Sequence, residues 1–390
     1  MALPMHVDPA LVLTALAVLA GMAGLHPFLT YPLSLVLLRP LVAAGRRPSP
    51  RAADAVDPSV AIVCCAHNEE RSLPAKLANL RALQARHPEL SVHLYSDGST
   101  DRTNEILREQ AEGFRVVIGA ERQGKSVGMN RLMAEVTSDL VLFTDANIEL
   151  DLGAVANVKR YFADPDVGCV CGHLVHTLAT DRGSPVAISR YWRLEQAIKR
   201  LETALGTTIA ADGGLFAIRR ALFRPVPPDI IDDMFTSVSI LCDGYRLVQA
   251  PDVVGDEEPQ ASPGAEMQRK RRIACRCFRC HRLLWPRLRR LPWLRLYMYL
   301  SHKLLRWFSG ALLVSAVFLM LLAFALLAPI VTIVALLSAA GGAGLAHVLA
   351  RRHYETGKAV LAALLSPSLG VLDAVQGKTY TVWTPVRGYS

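Results

Sequence analysis

Val60-Ala-Ile-Val-Cys-Cys65, followed at once by His67-Asn-Glu-Glu70, is the stretch from which the fold is read. Six uncharged residues and then a polar turn describe a strand of buried type that delivers functional groups at its end. Leu73, Leu77, Leu80 and Leu83 then recur at helical spacing. The same unit comes again. Val92-His-Leu-Tyr95 ends in Ser96-Asp-Gly-Ser-Thr-Asp101, a polar helix follows, and Arg115-Val-Val-Ile118 makes the next strand. Leu140-Val-Leu-Phe-Thr144 ends in Asp145-Ala-Asn147. Strands alternating with helices predict an α/β domain with a mostly parallel central sheet over residues 57–262.

In such sheets ligands bind outside the carboxyl ends of the strands. Glu69, Asp97 and Asp145 each stand just after a predicted strand, so they are expected to converge on one crevice. Carboxylates gathered there repel one another unless a cation or donor lies among them. Asp145 and Asn147 offer hard oxygen atoms two residues apart, which suits Mg²⁺ or Mn²⁺ held together with substrate phosphates. The plainer alternative is that each acid caps the helix after it, and for Asp101 that alternative is preferred. A second pair, Asp232-Asp233, follows Ile230-Ile231 and opens a helix-like run to Leu241. It reads either as a cap or as a general base beside a pocket.

The rest of the chain looks different. Its 390 residues are 52% apolar, with a mean hydropathy of +0.27, which excludes a disordered chain and directs attention to membrane segments. The net charge of +9 is local: 13 Lys and Arg and no acid lie between Arg269 and Arg306, and everything else sums to −4. A uniformly basic nucleic-acid binder is therefore excluded. Eight Cys in so long a chain do not make a disulfide scaffold.

Pro9–Leu38 has no Asp, Glu, Lys or Arg and predicts one span, kinked at His26-Pro27. It is too long for a secretory signal, and no basic region precedes it. Trp307–Ala350 predicts two spans that turn near Pro329. Ala359–Val375, with Pro367, is open between a third span, a re-entrant segment and an interfacial helix. Arg39, Arg46, Arg47 and Arg51, the basic belt, and Arg351-Arg352 fall on one side with one span before the middle region and two after it, and that side is expected to be cytoplasmic. Leu291–Phe308 mixes aromatic, apolar and basic residues and is expected to lie at the bilayer surface. Four parts are thus expected: a spanning segment in 1–45, the α/β domain in 57–262, a basic and interfacial segment in 263–308, and a membrane region in 309–390.

In this order the motifs resemble the family-2 glycosyltransferases, specifically the membrane-embedded branch of hyaluronan, chitin and poly-N-acetylglucosamine synthases and their bacterial relatives. Val60–Cys65 with His67-Asn-Glu-Glu70 looks like the first nucleotide-binding loop, and Asp97-Gly-Ser-Thr-Asp101 like the second, whose Asp contacts uracil. Gly124-Lys-Ser126 with Met129-Asn130 resembles the segment whose Lys approaches the donor. Asp145-Ala-Asn147 stands at the metal-binding DxD, and Gly213-Gly214 opens what looks like the acceptor-side loop. Asp232-Asp233 stands at the catalytic acidic pair, and Gln268-Arg-Lys-Arg271 at QxxRW. Two positions depart from the pattern: Asn147 replaces the second acid of DxD, and Arg272 replaces the Trp that lines the acceptor entrance and accompanies processive synthesis.

The resemblance implies a GT-A-type nucleotide-sugar domain and an inverting hexosyltransferase of the inner (plasma) membrane, its catalytic domain cytoplasmic. It implies a UDP-linked donor, Mg²⁺ or Mn²⁺, a lipid-linked or polysaccharide acceptor, and no nucleic-acid partner. On this reading Glu69, Asp97, Lys125, Asp145, Gln268 and Arg271 bind the donor. Asp145 and Asn147 hold the metal, Asp233 with Asp232 forms the catalytic pair, and Gly213 and Gly214 face the acceptor. Trp192, or Tyr191 beside it, offers an apolar face for a sugar ring, against a core or membrane-interface role.

Other motifs compete. Gly119-Ala-Glu-Arg-Gln-Gly-Lys-Ser126 fits GxxxxGK[ST] after a strand and allows a membrane-anchored P-loop NTPase. That reading leaves Asp97, Asp232-Asp233 and Gln268–Arg271 without a purpose. Cys277-Phe-Arg-Cys-His281 fits the haem-attachment CxxCH, but it lies within the basic belt, on the side expected to be cytoplasmic where thiols stay reduced, and lacks a second ligand set at zinc spacing, so packing is preferred. The belt itself could anchor a non-catalytic module on anionic lipid, with Arg271 as the one basic side chain expected to turn inward.

Overall fold

The computed structural model describes residues 8–43, 57–175, 186–257, 263–349 and 351–382. Helices α1 (Pro9–Leu25) and α2 (Thr30–Ala43) open the chain. The sheet region then runs β1 (Val60–Ala66), α3 (Leu73–Arg86), β2 (Ser91–Asp97), α4 (Thr103–Gln110), β3 (Arg115–Gly119), α5 (Lys125–Met133), β4 (Leu140–Asp145) and β5 (Ile148–Leu150). It continues through α6 (Ala154–Phe162), β6 (Val167–Val175), α7 (Val186–Ala204), β7 (Leu215–Arg219), α8 (Asp232–Cys242) and β8 (Arg246–Glu257). Helices α9 (Pro263–Leu288), α10 (Trp293–Tyr299), α11 (Leu305–Leu327), α12 (Pro329–Leu349) and α13 (Arg351–Val375) follow.

The chain divides into two compact units. One consists of residues 35–262, 276–296 and 379–390, and the other of 1–34, 263–275 and 297–378. The first carries one eight-stranded sheet in the order β3-β2-β1-β4-β7-β6-β8-β5. β1 pairs in parallel with both β2 and β4, and β2 in parallel with β3. Every residue of β1 is buried, as its uncharged sequence requires of a strand covered on both faces. Beyond β4 the sheet is mixed: β7 runs antiparallel to β4 and β6, β8 is parallel to β6, and β5 is antiparallel to β8. The α/β class with a mostly parallel sheet thus holds, with three antiparallel pairings confined to the far half.

The chain leaves β1 to build β2 and β3 on one side, then returns to place β4 on the other. The β1–β4 boundary is therefore the switch point, where connections leave in opposite directions and open a crevice at the carboxyl ends. Register puts Cys65 beside Asp145 there. Leu73, Leu77, Leu80 and Leu83 of α3 are fully buried in the core against β1 and β2, as their spacing predicts.

In the other unit α1 packs along α11, and α11 against α12 and α13. Small residues set these approaches: a Cβ at Gly310 would lie 2.1 Å from the carbonyl oxygen of Leu364, and one at Gly24 within 3 Å of Leu313. The outward side chains are apolar, with Leu19, Met22, Val317, Phe318, Leu327, Ile330 and Val331 exposed. The continuous helix Trp293–Leu327 is long and apolar enough to cross a bilayer. Within Leu291–Phe308, α10 runs through a π-helical stretch at Leu300–Leu304 into α11. Pro9–Leu25 and Thr30–Pro40 pass the same test together and are bent by 63° at the predicted kink. There the His26 ring hydrogen-bonds to Thr30 Oγ1 (2.7 Å) and Ser301 Oγ (3.0 Å).

Candidate active site

The first two strand-end loops brace each other. Asn68, at φ 55°, accepts the Thr100 N–H through its side chain (2.8 Å), and the Glu69 N–H donates to Thr103 Oγ1 (2.8 Å). The Glu69 carboxylate accepts from Ser72 Oγ (2.6 Å), and Asp101 accepts the Thr103 N–H (3.0 Å) at the start of α4. Asp101 is thus a cap, as expected, and Glu69 serves its own helix start as well.

Asp97 is fully buried at the end of β2. Its carboxylate accepts the backbone N–H groups of Gln123 (2.8 Å) and Gly124 (2.9 Å). It thereby fixes the turn that launches α5, whose first residue is Lys125. The Lys125 ammonium donates to Asp145 Oδ1 (2.7 Å) and to the Gly213 carbonyl (3.1 Å), and lies 3.3 Å from Asp232 Oδ2. Burial works against its charge, but Asp145 and Asp232 outweigh that and hold the ammonium well above its ordinary range. Lys125 is therefore the cation between Asp145 and Asp232. Ser126, in contrast, is buried and donates its hydroxyl to the Ile230 carbonyl (3.1 Å), so it packs the helix start rather than facing a nucleotide-bound metal as a P-loop requires.

Asp232 and Asp233 open α8. Asp233 faces Gly213: a Cβ on that glycine would stand 2.8 Å from Asp233 Oδ2. Only hydrogen at position 213 leaves the carboxylate its place. Burial first, then the neighbouring charge of Asp232, pushes the Asp233 carboxyl up to about 7, with Lys125 pulling the other way. A carboxylate that titrates near neutrality is suited to take a proton from a hydroxyl.

Asp145 lies at the end of β4, and Asn147 Nδ2 reaches Glu257 Oε1 (3.5 Å) on β8. No group of three or more His, Cys, Asp or Glu at metal-binding distance occurs among the described residues. Asp145 and Asn147 offer one carboxylate and one amide oxygen at the end of β4, and one Asp145 oxygen accepts from Lys125. Cys275 and Cys280 are buried and Cys277 is half-buried, none of them in a disulfide, consistent with packing.

Gly214 lies beside Gly213 before β7, and Trp192 is half-buried on α7. Gln268 and Arg271 belong to the other unit. There Gln268 is exposed, and Arg271 forms a two-pronged ion pair with Asp373 (2.5 and 2.7 Å). The inward turn of basic side chains is broader than expected. Arg276 donates to Ser126 Oγ (3.1 Å) and the Ile230 carbonyl (2.5 Å), Arg279 pairs with Asp229, and Arg287 with Asp243 (2.7 Å). Arg276 and Arg279 hold the segment that leads into Asp232, and Arg287 holds the far end of α8. Lys76 was also missed. Fully buried, it donates to Thr144 Oγ1 (3.0 Å) and the Ile148 carbonyl (2.5 Å), bracketing the turn that carries Asp145 and Asn147. Burial pushes its pKa down to about 8. Its place between Leu73 and Leu77 on the apolar face of α3 was the available signal.

The parallel strands with their crossover helices and the mixed far half give this domain a fold of GT-A type. The same architecture occurs in a mannosyltransferase from Pyrobaculum calidifontis solved with GDP-Man and Mn²⁺: it aligns over 94% of this chain and 99% of its own, with a TM-score of 0.69 at 23% identity. The family description "Glycosyl transferase family 2" matches residues 61–226, and "Glycosyl transferase family group 2" matches 150–342. The chain belongs to the family-2 glycosyltransferases. An N-acetylglucosaminyltransferase of Sinorhizobium fredii is 27% identical over 63% of this chain and 62% of its own length. A beta-monoglucosyldiacylglycerol synthase of Synechocystis is 28% identical over 50% of this chain and 43% of its own. The chain thus spans about half the length of the curated relatives it matches.

Proposed function

We propose that this protein is an inverting, membrane-bound glycosyltransferase that moves a hexose-type sugar from a UDP-linked donor to a lipid-linked or polysaccharide acceptor. The observation that carries this reading is the cluster of Lys125, Asp145, Asp232 and Asp233 around the Gly213 carbonyl and Cα. It pairs a cation for a departing diphosphate with a carboxylate for an attacking hydroxyl.

In the proposed reaction the acceptor oxygen bonds to the anomeric carbon as the bond to the diphosphate breaks. Asp233 takes the acceptor proton, and attack opposite the leaving group inverts the centre. Lys125 counters the charge that grows on the diphosphate. Mg²⁺ or Mn²⁺, held through Asp145 and Asn147, would supply Lewis-acid neutralisation of the same oxygens. Asp97 and Glu69 belong to the nucleotide side and Gly213, Gly214 and Trp192 to the acceptor side. Gln268 and Arg271 act on the donor if Arg271 exchanges Asp373 for phosphate, to which a guanidinium fork is equally suited.

The apolar exposed faces of α1, α11 and α12 support a bilayer setting, with the sheet domain on the cytoplasmic side of the inner (plasma) membrane. The four parts of the chain then act as an anchor, a transfer domain, a basic connector and a membrane region. The lipid named in the Synechocystis relative supports an acceptor that lies in the bilayer.

The test is nucleotide release by the full chain in detergent with Mn²⁺. UDP-N-acetylglucosamine, UDP-glucose, UDP-glucuronate, GDP-mannose and ATP are offered in parallel. UDP release from one sugar donor, lost in Asp233→Asn, is expected. Phosphate release from ATP alone, equal in the variant, would sink the reading and restore the P-loop alternative.

A further inference from the structure

Apart from the strand-end acids and Lys125, a buried cation of the sheet unit stands directly behind the loop that receives Lys125. Lys199 lies on α7 with no exposed surface, and its ammonium is 2.6 Å from Asp212 Oδ2. A lysine buried this deeply is costly unless it is paired. Burial indeed opposes its charge, but Asp212 chiefly, with Glu195 on the same helix, holds the ammonium above its ordinary range. Asp212 is the residue before Gly213. The Gly213 carbonyl accepts from Lys125, and its Cα leaves the space that Asp233 fills. The loop is thus gripped from behind by α7 and faces the proposed base and the proposed diphosphate cation in front.

Other bonds pin the inner face of α7. Glu202 Oε2 accepts from Thr208 Oγ1 (2.8 Å), and Gln196 Oε1 from Gln249 Nε2 (3.1 Å), which also bonds the Gly172 carbonyl (2.9 Å). These contacts fix the helix to the strands around it, so the ammonium of Lys199 has a rigid base. Lys199 also neutralises Asp212, which otherwise adds its charge to the surroundings of Asp233.

We propose that Lys199 is a positioning residue for sugar transfer: through its ion pair with Asp212 it sets the Gly213–Gly214 loop at the distance that lets Asp233 meet the acceptor hydroxyl. The transfer part rests on the function proposed above, while the ordering of the loop does not. Lys199 touches neither substrate, so its loss falls on turnover and not on donor affinity.

Two measurements on the full chain in detergent decide it. The first is hydrogen exchange of the unliganded protein. Lys199→Met should speed exchange at residues 212–215 at least tenfold and leave β1 and β2 unchanged. Adding Asp212→Asn to that variant removes the orphaned carboxylate and should bring the rate at least halfway back. Exchange equal to that of the native chain, or raised throughout the sheet with no recovery in the double variant, overturns the inference whatever the enzyme turns over. The second is kinetics: kcat should fall about thirtyfold in Lys199→Met with the UDP dissociation constant within twofold, and recover severalfold in the double variant. Native kcat in Lys199→Met would overturn the positioning role alone. A native chain that releases nucleotide from no donor would instead overturn the proposed function, and the exchange result would still decide the ordering of the loop.

Discussion

The two halves of the sheet are built by different rules. In β3-β2-β1-β4 the strands are parallel, so Glu69 after β1, Asp97 at the end of β2 and Asp145 at the end of β4 lie at their carboxyl ends. In β7-β6-β8-β5 the directions mix, and the functional groups come from the loop before β7 and the first turn of α8. Parallel strands can present their ends only on one side, so a site follows from the topology. Mixed strands give no such guarantee, and the second half must place its groups by explicit bracing. Lys199 and Arg276, both buried, brace the glycine loop and the approach to Asp232. On the proposed reading the parallel half holds the donor and the mixed half the acceptor.

That division can be broken by mutation. Asp233→Asn should have the largest effect, lowering kcat by about 10³-fold, within the range for loss of a general base, with the UDP dissociation constant within about threefold by calorimetry. Impaired UDP binding would tie Asp233 to the donor half instead. The native rate should also fall as pH drops below about 7, where the Asp233 carboxyl takes up its proton. The raised value has a stability consequence of definite sign. The folded state holds that proton more tightly than the unfolded chain, so stability is lost as pH rises from the ordinary carboxylate range toward 7. Asp233→Asn should therefore melt above the native chain at pH 8 and with it at pH 4.

Lys125→Ala touches both halves, through Asp145 on one side and Gly213 and Asp232 on the other. It should cost about 10²-fold in kcat/KM, the range seen on removing one group that stabilises developing charge, and weaken UDP binding as well. An effect on kcat alone would place the lysine wholly on the acceptor side. Gly213→Ala sharpens the comparison. The added methyl displaces Asp233, so kcat should drop by about tenfold, a 1.4 kcal/mol misplacement penalty, without loss of donor affinity. Lys76→Met should have the smallest effect on turnover. Leaving Thr144 and the Ile148 carbonyl without their donor costs about 1–3 kcal/mol, read as a lower melting temperature.

The same contrast explains what was legible in the sequence. β1, β2, β3 and β4 were found within one or two residues of their ends, because uncharged runs broken by polar turns leave few alternatives. The loop expected to open at Gly213-Gly214 gives way at once to a strand, Leu215–Arg219, that pairs antiparallel with β4. Gly213-Gly-Leu-Phe-Ala-Ile carries turn and strand signals together, and nothing local shows which partner the strand takes. β5, with three residues, was too short to leave a period. Charge misled in the opposite direction. The belt between Arg269 and Arg306 reads as a lipid-facing surface, but Arg276, Arg279 and Arg287 serve the sheet unit, and their partners Ile230, Asp229 and Asp243 lie some 45 residues earlier in the chain. Spacing reveals a helix face but not which charges that face will meet.

The strands at the two rims of the sheet are β3, with five residues, and β5, with three. β3 begins with the exposed Arg115, paired to Glu135 at 2.5 Å. A rim so short and so charged is a poor template for a strand from another molecule. On the membrane-bound reading proposed above, molecules held in one plane would meet far more often than in bulk, and such rims would guard against edge-to-edge aggregation there.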